Sequence, residues 1–173
     1  YMSSIEVAYD LKDAADYLIA SPTEIMAYGM PYGEIGEYLF GETNYEGVCN
    51  AFLEFYKNYQ AKPCGTIGVT VCSELDALAE VMKEINQQHS FDPSKINDLQ
   101  RLDGYTPVLF FDYGSYVTEL CKDANLLTRF ETQLEKAIPE KYRKHTDYYY
   151  SMSKGDIKIN TYSGVTTSDP SLN

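Results

Sequence analysis

Thr66-Ile67-Gly68-Val69-Thr70-Val71-Cys72 is rich in β-branched residues and reads as a buried strand. Working outward, Ser73 stands at the N-cap position of an amphipathic helix whose Leu75, Leu78, Ala79, Met82 and Ile85 share one face. On the other side, Val48, Phe52, Phe55, Tyr56 and Tyr59 form the apolar face of a helix over 45–59, which Lys62-Pro63 ends. A short helix over 34–40 and a Gly- and Pro-bearing loop over 26–33 come before it. Asp16 to Ser21, closed by Pro22, reads as a second buried strand. Ser3 and Glu6 form a capping-box pattern in front of a helix over roughly 4–14. Helix, strand, helix, strand, helix is the order expected of an α/β layered fold with a mostly parallel sheet.

Beyond His89 the pattern loosens. Residues 90–107 read as loop or short turns, followed by helices over 108–121 and 126–138. Tyr148-Tyr149-Tyr150 and Asp156 to Tyr162 are expected to pair as a hairpin across Lys154-Gly155. No linker divides the chain, so 1–173 reads as a single domain or part of one. The chain starts at Tyr1, directly before a helix signal, and stops in a polar stretch, so both ends read as cut from something larger.

Composition bounds the function. With 26 acids against 14 bases the net charge is -12, which argues against nucleic acid as a partner and against docking on anionic membrane. No run is long and apolar enough to span a membrane. Cys49, Cys64, Cys72 and Cys121 are not in CxxC spacing, so a zinc site is not expected; they read either as buried free thiols or as two disulfides. His89 and His145 read as surface histidines. No metal motif, P-loop, GxSxG or dinucleotide fingerprint is present, and no cofactor is expected.

The segment from Met2 through Tyr9-Asp10-Leu11-Lys12-Asp13, Ala20-Ser21-Pro22-Thr23-Glu24 and Tyr28-Gly29-Met30-Pro31-Tyr32 resembles the region that follows the catalytic cysteine of clostripain-family cysteine peptidases. There a D-x-C-x-M nucleophile pattern leads into a helix of the type S-x-E-x-x-Y-E-L-K-D, then A-S-x-x-E, then G-Y-G-W-P-Y. Met2 matches the Met of the first pattern, and Ala27 and Met30 replace the usual Gly and Trp of the last.

The resemblance implies a caspase-like fold, incomplete in this chain, with the Cys/His dyad supplied upstream of Tyr1 by the same precursor. It implies an endopeptidase cleaving after basic residues, inactive as this chain alone, secreted or on the bacterial surface. The implied substrate-binding residues are Tyr1, Ser21, Thr23, Glu24, Tyr28 and Met30. A carboxylate at Glu24 suits an Arg or Lys side chain of a peptide substrate, and equally reads as a solvated loop acid. The alternative reading is a non-catalytic caspase-like binding or structural module.

Overall fold

The computed structural model describes residues 3–59 and 63–172. In chain order the elements are α1 (Ile5–Leu11), β1 (Tyr17–Ala20), α2 (Tyr32–Leu39), α3 (Tyr45–Lys57), β2 (Thr66–Val71), α4 (Leu75–Gln88), β3 (Phe110–Asp112), α5 (Tyr113–Leu120), α6 (Ala124–Ala137), β4 (Arg143–His145), β5 (Tyr148–Ser151), β6 (Gly155–Lys158) and β7 (Thr166–Ser168).

A three-stranded sheet in the order β1-β2-β4 lies between two layers of helices. β2 is central and almost wholly buried. Successive residues of its neighbour β1 face opposite ways: Leu18 packs into the core formed by α1, α4, α5 and α6, and Ile19 into the core under α2 and α3. Period-two alternation thus lets β1 serve two apolar layers at once.

The sheet is antiparallel throughout, correcting the mostly parallel arrangement expected from the sequence. Ala20 pairs with Gly68, and Gly68 with Arg143. The reason lies between β1 and β2. One helix carries a chain back to the end of the sheet where its strand began, making the next strand parallel. Here two helices, α2 and α3, joined through residues 40–44 and packed on each other, return it to the end where β1 finished, so β2 runs back antiparallel.

Local capping differs too. Ser4, not Ser3, caps α1, accepting the Val7 N–H at 3.3 Å. The Ser3 hydroxyl donates to the Gly164 carbonyl at 3.2 Å, and the Glu6 carboxylate accepts from Thr167 Oγ1 and the Ser168 N–H instead of closing a capping box. Cys72–Glu74 forms a 3₁₀ turn ahead of α4, so Ser73 is not its cap. The helix expected over 108–121 starts only at Tyr113. Asp112 accepts the Ser115 N–H at 2.9 Å and begins it, while Phe110–Asp112 pair with β7. The β5–β6 hairpin forms as expected, with Gly155 in the left-handed region at φ 74°.

Candidate active site

β1 ends at Ala20, and the residues after it turn out of the sheet against the start of β2. The hydroxyls of Ser21, Thr23 and Thr66 form a buried cluster, with Thr66 Oγ1 2.8 Å from Ser21 Oγ and 2.7 Å from Thr23 Oγ1. One assignment satisfies all three: Thr23 donates to Thr66, Thr66 to Ser21, and Ser21 to the Thr23 carbonyl at 3.1 Å. These hydroxyls are consumed in shaping the turn. Ser21 and Thr23 are therefore wall, not donors aimed at a ligand.

Glu24 follows, half-buried. Its Oε1 accepts from the Ser151 hydroxyl at 2.7 Å and its Oε2 from the Met152 N–H at 3.1 Å. Both donors come from the tip of the β5–β6 hairpin. Each carboxylate oxygen has a second lone pair, so the group retains capacity for a cationic partner.

Ser21, Thr23, Glu24 and Met30 line one cavity of about 460 Å³, which Ile19, Ala20, Ile25 and Tyr105 complete. Four of the residues singled out from the sequence are thus brought together at the end of β1. Tyr28 is not among them: it is 57% exposed and its ring lies 4.7 Å from that of Phe55, on α3. Its loop is fixed there by the Tyr56 hydroxyl, which donates to the Gly29 carbonyl at 2.6 Å. Tyr1 lies outside the described residues. A second, apolar groove of about 600 Å³ between α1 and α4 contains none of the expected site residues.

The sequence reading missed Tyr105 and the hairpin tip. Asp103-Gly104-Tyr105-Thr106-Pro107 carries a turn signal, but nothing local says that the turn reaches the end of β1.

None of the four thiols is suited to attack. Cys49, Cys64, Cys72 and Cys121 are free and buried. Burial pushes the Cys49 thiol up to about 12 and raises those of Cys64 and Cys72. Neither histidine lines the cavity. His145 is exposed and packs at a tilt against Tyr162, with ring centroids 4.7 Å apart. His89, expected at the surface, is half-buried, and its Nε2 is enclosed without a hydrogen-bond partner among the described residues. Among the described residues no three His, Cys, Asp or Glu side chains are arranged to hold a metal ion, and no helix is long and apolar enough to cross a membrane.

Ser3 lies beside residues 164–166, and the 162–164 segment in turn lies against β2. The Thr166 N–H donates to the Ser3 carbonyl at 2.9 Å, and the Tyr162 hydroxyl to the Ile67 carbonyl at 2.9 Å. Between them, a side chain at Gly68 would run into the Gly164 carbonyl.

The sequence model of the clostripain family matches residues 1–163. No curated protein matches the chain. A solved clostripain from Bacteroides thetaiotaomicron, in complex with the peptide inhibitor BTN-VLTK-AOMK, is 60% identical with a TM-score of 0.96, over 100% of this chain and 76% of that one. A secreted cysteine protease from the same species is 60% identical with a TM-score of 0.95, over 98% of this chain and 48% of that one. An inactive zymogen protease from Parabacteroides distasonis is 32% identical with a TM-score of 0.78, over 97% and 49%. The chain thus spans about half the length of the second and third of these relatives and three quarters of the first.

Proposed function

Because the chain belongs to the clostripain family of cysteine peptidases, we propose that it forms the downstream part of an endopeptidase that cleaves after basic residues. The observation that carries this reading is Glu24, a carboxylate fixed by two hairpin donors on the wall of a cavity otherwise formed by hydroxyls already paired and apolar side chains. A Lys or Arg side chain entering that cavity gains a charge-assisted contact with a group already held in position. The peptide inhibitor of the 60% identical clostripain has the sequence VLTK, ending in lysine, which agrees with this.

The nucleophile and its histidine come, in this reading, from the same precursor upstream of Tyr1. Two observations support it. Every thiol of the chain is buried, and Met2 matches the Met of the family's nucleophile pattern. A thiolate there attacks the peptide carbonyl, the histidine protonates the leaving amine, and backbone N–H groups hold the oxyanion. This chain supplies the sheet, the cleft wall and the specificity pocket, and is inactive alone. Ser21, Thr23, Glu24 and Met30 wall the pocket, and Tyr28 is assigned to packing on α3. Export to the outside of the cell or its surface is proposed from the relative described as secreted.

The test is cleavage by the full-length precursor of fluorogenic peptides that differ only in the residue before the scissile bond. Cleavage restricted to Lys and Arg peptides is expected, and its abolition by an upstream Cys→Ala change. Turnover of uncharged peptides equally well overturns the preference for basic residues; turnover of none of them overturns the peptidase reading and leaves a binding module as the better description.

A further inference from the structure

Tyr105 combines two properties seldom found together. Its side chain is 50% exposed, yet the backbone that carries it is tied down on every side. Asp103 is wholly buried, and its carboxylate accepts the N–H groups of Tyr105, Leu109 and Phe110 at 2.8, 2.6 and 2.6 Å, drawing the 103–109 loop around itself. The Arg101 guanidinium donates to the carbonyls of Asp103 and Tyr105 at 3.0 and 3.1 Å. The Tyr149 hydroxyl donates to the Asp103 carbonyl at 3.0 Å. An aromatic side chain held out on a preorganised loop is the form that recognition residues take, because little conformational freedom is lost on contact.

The loop is also coupled to Glu24. Ser153 Oγ donates to the Gly104 carbonyl at 2.6 Å, while Ser151 Oγ, 3.2 Å from Ser153 Oγ, donates to Glu24. Any side chain at position 104 would collide with Ser151 Oγ. One hairpin tip therefore grips both the carboxylate of the cavity and the loop that places Tyr105 in the same cavity.

We propose that Tyr105 is a specificity-determining residue of this pocket, its ring packing on the basic side chain whose charged end Glu24 receives, and that Ser151 and Asp103 are positioning residues that fix ring and carboxylate relative to each other. The inference rests on reading the cavity as the peptidase's specificity pocket. A lysine stem lying on an aromatic face gains apolar contact along its methylenes and an electrostatic attraction at its ammonium.

The experiment uses the full-length precursor and two peptides differing only by Lys or norleucine before the scissile bond. Tyr105→Ala is expected to raise KM for the Lys peptide about tenfold, with kcat within about twofold of wild type. Tyr105→Phe, which keeps the ring, should stay near wild type, and Tyr105→Leu, which keeps bulk alone, should behave as Tyr105→Ala; these two decide the matter if the alanine variant does not fold. Ser151→Ala should raise KM in the wild-type background and have a smaller effect on top of Tyr105→Ala, as expected of a residue acting through another. A Tyr105→Ala enzyme with wild-type KM, while Glu24→Gln has lost its preference for Lys over norleucine, overturns the role of Tyr105 and leaves the pocket intact. Unchanged preference in Glu24→Gln overturns both, as does a wild-type precursor that cleaves neither peptide.

Discussion

The hydroxyl of Ser151 lies 2.7 Å from Oε1 of Glu24 and donates to it, joining residues 127 positions apart in the chain. Ser151 is fully buried, so this bond is shielded from competing water. Replacing it with alanine leaves Glu24 Oε1 short of a donor and is expected to cost about 1–2 kcal/mol of stability. Urea unfolding of the full-length protein reads the loss directly as a lower midpoint at unchanged slope.

Glu24 already holds one hydrogen bond on each oxygen. A guanidinium seeking both oxygens in parallel competes with those donors, whereas an ammonium needs a single lone pair. The expected outcome is a kcat/KM several-fold higher for Lys than for Arg peptides of otherwise identical sequence. Glu24→Gln should reduce both values by about ten- to a hundredfold, since a charge-assisted contact is replaced by a neutral one.

Asp103→Asn replaces an acceptor of three backbone N–H groups by an amide with one acceptor oxygen, and its NH₂ meets donors. We expect a loss of about 2–4 kcal/mol, a drop of roughly 5–15 °C in Tm for a chain of this size. Differential scanning calorimetry measures it. A shift below 2 °C would show that the loop finds other partners.

Alkaline pH offers a separate check on the core. Burial raises Cys49 and Tyr56 to about 12, from ordinary values of 9.0 and 10.0, and pushes Tyr113, Tyr149 and Tyr162 upward as well. Because these folded-state values exceed the unfolded ones, their contribution is fully present below about pH 9. It falls as pH rises toward 12, since only the unfolded chain releases protons in that window. Stability is expected to be flat through neutrality and to decline from pH 9 upward. Phenolate absorbance of the buried tyrosines should appear together with unfolding, not ahead of it.

The same burial predicts chemical silence. Iodoacetamide at pH 8 should label none of Cys49, Cys64, Cys72 or Cys121 in the native protein and all four in guanidinium, as read by peptide mass spectrometry.

What could be read from the sequence was what short-range physics decides. The β-branched run 66–72 and the helical stripe of Leu75, Leu78 and Ile85 announce strand and helix by their own spacing. Strand direction was not legible, because it depends on how α2 and α3 fold back on each other. Nor was β7, whose Thr166–Ser168 looks like any polar tail until Glu6 and Phe111 meet it. The pocket divides along the same line. Ser21, Thr23, Glu24 and Met30 were pointed to by the family resemblance of one continuous stretch, which pointed equally to Tyr28, and the end of β1 brings the four together without it. Tyr105 reaches the cavity, and Ser151 its Glu24 carboxylate, only through tertiary contacts, and no local pattern points to them.

The bonds between Ser3 or Glu6 and residues 166–168 have a consequence in time. On the ribosome α1 emerges early, but the strand that anchors it follows some 161–163 residues later. At ordinary elongation rates that is roughly 8–30 s. During that interval α1 packs only on earlier elements, such as α4 through Tyr9 and Asp76. The first helix is thus seated in two stages, and its tie to β7 closes only after residues 166–168 have been made.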